Sequence, residues 1–456
     1  MIHNSYQSQA EEISKVANGK KILFASVPAD GHVNPLTGLA VYLKSIGYDV
    51  RWYTSETYAE KIAKLNIKLY PFVKALDLRG DNIEQLLPDR EKQKTAVAKL
   101  NYDIIHFFIE RSTEYYADIQ QIHKTFPFDL MIADCCFTAI PFVKEKMHIP
   151  VISIGIVPLT ETSKDLPPAG LAMTPSTSFA GRIKQNMLRW VADNILFAKS
   201  NRVLKALTVE HNLSYNNENM FDYLVKKTTL LLQSGTPGFE YHRSDIGSNV
   251  QFAGPFLPYS PAKKQAPWFD ERLNKYNNVI LVTQGTVEKD TKKLIEPALE
   301  AFKDTDILVV VTTGGSQTQE LREKYTQENI IIEDFIPFGD VMPYADVYVS
   351  NGGYGGVLLA IENELPFVAA GVHEGKNEIC ARIGYFNLGI NLKTETPTPA
   401  QIRKSVIEIL NNSSYKQNVK RLAKEFGKYN AHKISARHVS ELIKANELSR
   451  MDERIY

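Results

Sequence analysis

Apolar positions along this chain follow two alternating rhythms. Short runs rich in Val, Ile, Leu and Phe, such as "KKILFASVP", "YDVRWYTS", "FDLMIADCCF" and "IPVISIGIVP", read as strands, because a near-continuous apolar run suits a strand covered on both faces. Longer stretches between them space their apolar residues by three and four. In "NPLTGLAVYLKSIG", Leu36, Leu39, Ala40 and Leu43 line one helical face, Pro35 suits the first turn and Gly47 the stop. A second helix is expected around Pro141, Phe142 and Val143. This alternation predicts a parallel sheet with helices on both faces.

The rhythm restarts after residue 275. "NNVILVTQGT", "DILVVVTTGG", "NIIIEDFIP", "ADVYVSNGG" and "LPFVAAG" are five further strand candidates. Between the halves, "GPFLPYSPAKKQAPWF" is rich in Pro and charge, the composition of a linker. The expected organisation is an α/β protein of two doubly wound domains. An extension covers 1–19, a first domain 20–257, a linker 258–275, a second domain 276–430 and a terminal helical segment 431–456. Ligands of such sheets bind beyond the carboxyl ends of the strands, so two facing domains would share a cleft.

Composition adds mainly exclusions. A net charge of +1 supplies no field for nucleic acid. Three Cys, two of them adjacent at Cys135 and Cys136, form neither a disulfide framework nor a zinc pattern. "MIHNSYQSQAEEISKVANGKK" lacks the apolar core of a signal peptide, and no run approaches the roughly 18 apolar residues of a membrane span. A soluble, cytoplasmic protein is expected.

Candidate chemistry sits at the strand ends. In "SVPADGHVNP", Gly31 and His32 follow a strand and precede a helix. A His there can act as a base, its neutral form favoured by the helix dipole, or simply hydrogen-bond within its loop. Asp134 ends another strand of the same half, where a carboxylate either holds such a His or caps a helix. In the second half Gly285 and Thr286, Gly314 and Gly315, and the cluster Gly352, Gly353, Gly355 and Gly356 end three strands. Each alone suits a tight turn. Together their backbone N–H groups would suit a diphosphate. No Lys follows the glycines as in a P-loop, and Asn351 precedes them.

These residues resemble a known family. "GHVNP" opening a helix, Asp134, "GPFLP", "VTQGT", "DFIPFGDVMPYADVYVSNGGYGGVLLAI" and "LPFVAAG" are similar to family 1 glycosyltransferases of GT-B fold, which have two Rossmann-like domains across a cleft. The likeness is greatest to bacterial macrolide-type UDP-glycosyltransferases and runs from about residue 20 to 430. The resemblance implies metal-independent, inverting transfer of a sugar from a nucleotide diphosphate, expected to be a UDP-sugar, to a hydroxyl of a small, partly apolar acceptor. No cofactor is implied beyond that co-substrate. It assigns His32 as base, Asp134 as its orienting partner, the glycine turns, with Gly31, to the donor, and the helix N-terminus amides at Gly352, Gly353 and the residues after them to the leaving diphosphate. Phe335 stands where the family stacks an aromatic on the nucleobase, with Ile336 beside it, although a core role would suit the ring equally. In such proteins the last helix crosses back onto the first domain.

Departures fall on the donor side. The family's His before the glycine loop is Asn351, which can still donate a hydrogen bond. Its Gln is Phe338, its ribose-binding Glu is Leu359, and its Asp-Gln pair is missing from "VHEGKNE". There Glu374 and Lys376 either substitute for the lost groups or are solvated loop residues. A sugar-binding accessory protein without transferase activity and a nucleotide-sugar epimerase remain alternative readings. "SFAGRIKQNMLRWVADNILFAKS" is amphipathic and basic. Such a helix is ordinarily a solvated surface or packs on its own domain, with a membrane surface as the less common use. The resemblance implies that this region flanks the acceptor cleft, where its apolar residues would meet an apolar acceptor.

Overall fold

The computed structural model describes residues 17–79, 82–260, 267–285, 288–373 and 375–452. The first seven strands are β1 (Lys21–Ala25), β2 (Asp49–Thr54), β3 (Lys68–Pro71), β4 (Leu130–Asp134), β5 (Val151–Gly155), β6 (Leu230–Ser234) and β7 (Val250–Gly254). They form one sheet in the order β3-β2-β1-β4-β5-β6-β7, with every ladder parallel. A second parallel sheet holds β8 (Asn278–Thr283), β9 (Ile307–Thr312), β10 (Ile330–Glu333), β11 (Val347–Ser350), β12 (Phe367–Ala369) and β13 (Gly389–Asn391). Its order is β10-β9-β8-β11-β12-β13. The helices that bear on the site are α1 (Asp30–Ser45), α2 (Phe179–Val191), α3 (Tyr354–Glu362), α4 (Lys376–Tyr385) and α5 (Ala431–Asp452).

The strand sequences explain the layers. Alternate residues of β8 enter different cores: Val279 and Leu281 pack on one face, Ile280 and Val282 on the other. In β1, Ile22 and Phe24 divide from Leu23 and Ala25 in the same way. Each fully buried side chain of this kind contributes about 1.5–3 kcal/mol, which is why the runs carry no polar alternation. Helix α5 adds Ala436, Val439 and Ile443 to the core that Leu36, Leu39 and Leu43 of α1 share with the first sheet.

All nine quoted runs contain strands. Four strands were not anticipated: β3, β6, β7 and β13. The first ends in Pro71 at the sheet edge, where the missing N–H costs no ladder bond. β13 has three residues, too few to show a period. Helix α1 also begins earlier than Pro35 suggested. Ala29 is extended, Asp30 opens the helix where its charge complements the dipole, and Pro35 lies inside. Pro35 lacks the N–H that would reach the Gly31 carbonyl, and that one lost bond is tolerated because the ring is buried against the core. None of the described helices is long and apolar enough to cross a membrane.

Candidate active site

Strands β1 and β4 are neighbours, with Ala25 beside Ala133, so the loop after β1 and the end of β4 meet at one rim. Asp134 is fully buried there, and His32 lies in the first turn of α1 with 19% of its side chain exposed. His32 Nδ1 is 2.9 Å from Asp134 Oδ1. The backbone N–H of Cys136 donates to the same oxygen at 2.9 Å, and that of Val27 donates to Oδ2 at 2.8 Å. A carboxylate accepts only, so Nδ1 carries the proton and Nε2 of the neutral ring keeps its lone pair.

Charge at this pair differs from the dipole expectation. Burial, the largest influence, lowers the His32 pKa, but the Asp134 charge and hydrogen bond, with Cys135, outweigh it and the net shift is upward. The helix N-terminus does not keep the ring acidic, because a buried carboxylate at hydrogen-bond distance acts more strongly than a helix end. Donor atoms of His32, Asp134 and Cys136 lie within 4.8 Å of one another, a spacing a cation could bridge. Both Asp134 oxygens, however, are already engaged by the two N–H groups and the imidazole.

On the second sheet, β9, β8 and β11 are adjacent, so their glycine turns share one edge. Gly285, Gly314, Gly315 and Gly352 all have positive φ, which glycine adopts without strain. At Gly352 a Cβ would also lie 2.5 Å from Cys380 Sγ. Their N–H groups are not the free donors expected for a diphosphate. Gly285 donates to Thr283 Oγ1 at 3.2 Å, Gly315 to Thr313 Oγ1 at 3.1 Å and Gly352 to Ser350 Oγ at 3.2 Å. Gly314 donates to the Asp334 carbonyl at 2.9 Å. These turns shape the edge. The remaining donors belong to the first turn of α3, where Gly353 is the N-cap, no side chain caps the helix, and Tyr354, Gly355 and Gly356 follow.

Phe335 is not a core residue. Its ring is 67% exposed and stands next to Gly315, where a Cβ would sit 3.7 Å from it. Ile336 turns its side chain into the core, which leaves only its backbone for the rim. Asn351 is buried, and its amide donates to the Gln284 carbonyl. One of its two amide N–H groups is therefore engaged in tying the end of β11 to the end of β8. Phe338 packs edge-on against Tyr348, and Leu359 against the same core. Lys376 Cβ lies 4.0 Å from the point where a Gly352 Cβ would be, so its side chain leaves α4 beside the glycine loop. Gly31, in the first turn of α1, is exposed. Thr286 and Glu374 lie outside the described residues.

Three contacts unseen in the sequence join the two sheets' halves here. Tyr354 Oη donates to the Ser234 carbonyl at 2.8 Å, so the first residue of α3 is fastened to the end of β6. Arg382 of α4 donates to Glu240 Oε2 at 2.8 and 3.1 Å, both side chains being 3% exposed. Arg382 also reaches Glu378 at 3.1 Å, and Glu378 accepts the Ala172 N–H at 2.7 Å. The Glu378–Arg382 spacing of four was readable on a helix, but Glu240 is 142 residues away.

Known proteins share this chain's sequence pattern and fold. The family model for the C-terminal domain of erythromycin biosynthesis protein CIII-like proteins matches residues 296–436. The chain is 31% identical over 409 residues to 4'-demethylrebeccamycin synthase of Lentzea aerocolonigenes, covering 90% of this chain and 96% of that one. It is 30% identical over 434 residues to UDP-glucosyltransferase 1 of Beauveria bassiana, covering 90% and 93%. The crystal structure of the glycotransferase of kitacinnamycin superposes with a TM-score of 0.72 at 16% identity, over 93% of this chain and 99% of that one. The two parallel sheets are thus the GT-B fold, and by its relatives this chain belongs to the family that includes the UDP-glucosyltransferases: it is a glycosyltransferase.

Proposed function

We propose that this glycosyltransferase moves a hexose from a UDP-sugar to a hydroxyl of a small, partly apolar acceptor, with inversion and without a metal. The observation that carries the reading is the His32–Asp134 pair at the strand-end rim, with Nδ1 held at 2.9 Å and 19% of the His32 side chain exposed. The acceptor hydroxyl gives its proton to Nε2 as its oxygen bonds to the anomeric carbon. The bond from that carbon to the diphosphate oxygen breaks on the opposite face, and the leaving nucleoside diphosphate takes the electron pair. Asp134 is a positioning residue that fixes the tautomer and stabilises the imidazolium. The uncapped N-terminus of α3 faces the growing diphosphate charge with backbone N–H groups, beside Lys376. The UDP-sugar rests on relatives named UDP-glucosyltransferases. The two N–H groups and the imidazole that Asp134 accepts from suit a carboxylate used to hold His32 rather than a cation.

The net upward shift of His32 sets a pH dependence. As pH falls through the His32 pKa the base is lost, so the acid limb of kcat/KM lies above the ordinary value of 6.5. Asp134→Asn removes the charge that raises it, so the limb moves to lower pH while the rate falls. A pH–rate profile checks this, and a limb left in place would remove Asp134 from the assignment.

Phe335→Ala is expected to weaken nucleotide affinity by about 5- to 150-fold, the equivalent of about 1–3 kcal/mol for one base stacked on an aromatic ring. The variant's own unfolding temperature stays unchanged, because the ring is mostly exposed. Thermal-shift titration with nucleoside diphosphates and nucleotide sugars reads both quantities, since a bound ligand raises apparent stability by mass action. No shift with any nucleotide would remove the donor-site argument. Nucleoside diphosphate release only when an acceptor is present separates transfer from epimerisation.

A further inference from the structure

Helix α2 is inside out. Phe179, Ile183, Met187 and Trp190 fall on one face at spacings of four, four and three, and they are 82%, 55%, 60% and 60% exposed. The opposite face is fastened down by polar groups. Buried Gln185 accepts the Ser176 N–H at 2.5 Å and donates to the Asp165 carbonyl at 3.2 Å, while Arg189 donates to the Leu166 carbonyl. A surface helix in water ordinarily buries its apolar stripe and exposes its polar one. Here hydrogen bonds hold the polar side inward, which fixes the apolar stripe outward rather than leaving it there by chance. Ile195, just past the helix, is also 60% exposed.

The charges around the stripe indicate what covers it. Exposed Arg182 and Lys184 lie on either side, each about 100° from its centre in helical projection. From residue 179 to 209 the chain has six basic residues and one acidic residue, within a protein of net charge +1. A helix with a Trp-, Phe- and Ile-bearing face between basic flanks has the chemistry that lies in the headgroup region of an anionic bilayer. We propose that α2 is an interfacial anchor that docks this protein on an anionic lipid surface without spanning it. The segment that α2 clamps reaches the cleft: Ala172 donates to Glu378, and Asn377 Nδ2 donates to the Gly170 carbonyl at 3.5 Å. A docked α2 would therefore hold the mouth of the cleft close to the bilayer, where apolar molecules concentrate.

The test uses the full-length protein with phosphatidylcholine vesicles prepared with and without phosphatidylglycerol. Wild type is expected to co-sediment with the phosphatidylglycerol vesicles and to be released by salt. Its Trp emission should shift to the blue and be quenched by brominated lipid, because Trp190 is exposed while Trp52 is fully buried. Ile183→Asp with Met187→Asp, which keeps Trp190, should lower vesicle affinity by about tenfold or more. Arg182→Gln with Lys184→Gln should abolish the preference for phosphatidylglycerol. Circular dichroism confirms that both variants fold. Failure of wild type to bind any vesicle overturns the proposal. So does a wild-type dimer in lipid-free sedimentation that the Asp variants convert to monomer, since the stripe would then be covered by a second copy.

Discussion

His32→Ala lowers turnover by about 10²- to 10⁴-fold, the range a positioned general base contributes. Affinity for nucleoside diphosphate is unchanged. The imidazole lies on the rim of the first sheet, whereas the glycine turns, Phe335 and the start of α3 belong to the second. Product formation gives the first quantity and calorimetric titration of the nucleotide the second. The split between them matters. A variant that lost turnover and nucleotide affinity together would be structurally damaged, and one with wild-type turnover would remove His32 as the base. A neutral amide at this position, as in His32→Gln, should also fail, because it offers no group that can take a proton at neutral pH.

The second large effect is on stability. Glu240→Ala is expected to cost about 3–5 kcal/mol, the range for breaking a buried ion pair from one side. The carboxylate serves three partners at once: Arg382 at 2.8 Å, Arg243 at 3.5 Å and the Leu159 N–H at 2.8 Å. Its removal takes the ion-pair partner from the buried Arg243, which keeps only bonds to the carbonyls of Leu159, Tyr241 and Glu161, and leaves Arg382 with Glu378 and the Tyr241 ring. The damage falls between the halves, so thermal unfolding should broaden or split as well as shift down. Combining Glu240→Ala with Arg382→Met should cost less than the sum of the single changes, because the second change removes one stranded charge. A Glu240→Ala protein within about 0.5 kcal/mol of wild type would show that the cluster does not hold the halves together.

What the sequence disclosed follows the range of the forces involved. The βαβ alternation is local, so the strand runs and their carboxyl ends were readable, and with them the positions of His32 and Asp134. That β1 lies next to β4, with β2 and β3 on the far side, depends on chain crossover that no window of residues reports. The glycine turns show a signal that was present but unused. Thr283, Thr313 and Ser350 each stand two residues before a glycine, the spacing at which a hydroxyl accepts the local N–H. Reading that spacing would have removed the turn N–H groups from the candidate diphosphate donors and left the helix N-terminus after Gly353, which the resemblance already implied. Asn351 looked like a weakened ligand contact because its partner, the Gln284 carbonyl, is 67 residues away. Amphipathicity in α2 was evident, but which face points inward depends on Ser176, Asp165 and Leu166, which the helical period does not contain.

A single displacement driven by a base on the acceptor side would invert the anomeric centre, so the configuration of the product is the decisive readout. An α-linked nucleotide sugar that stabilises the protein in the thermal-shift panel is incubated with a small phenol, and the glycoside is examined by NMR. The β-glycoside alone is expected if His32 activates the acceptor on the face opposite the leaving diphosphate. An α-glycoside would contradict it.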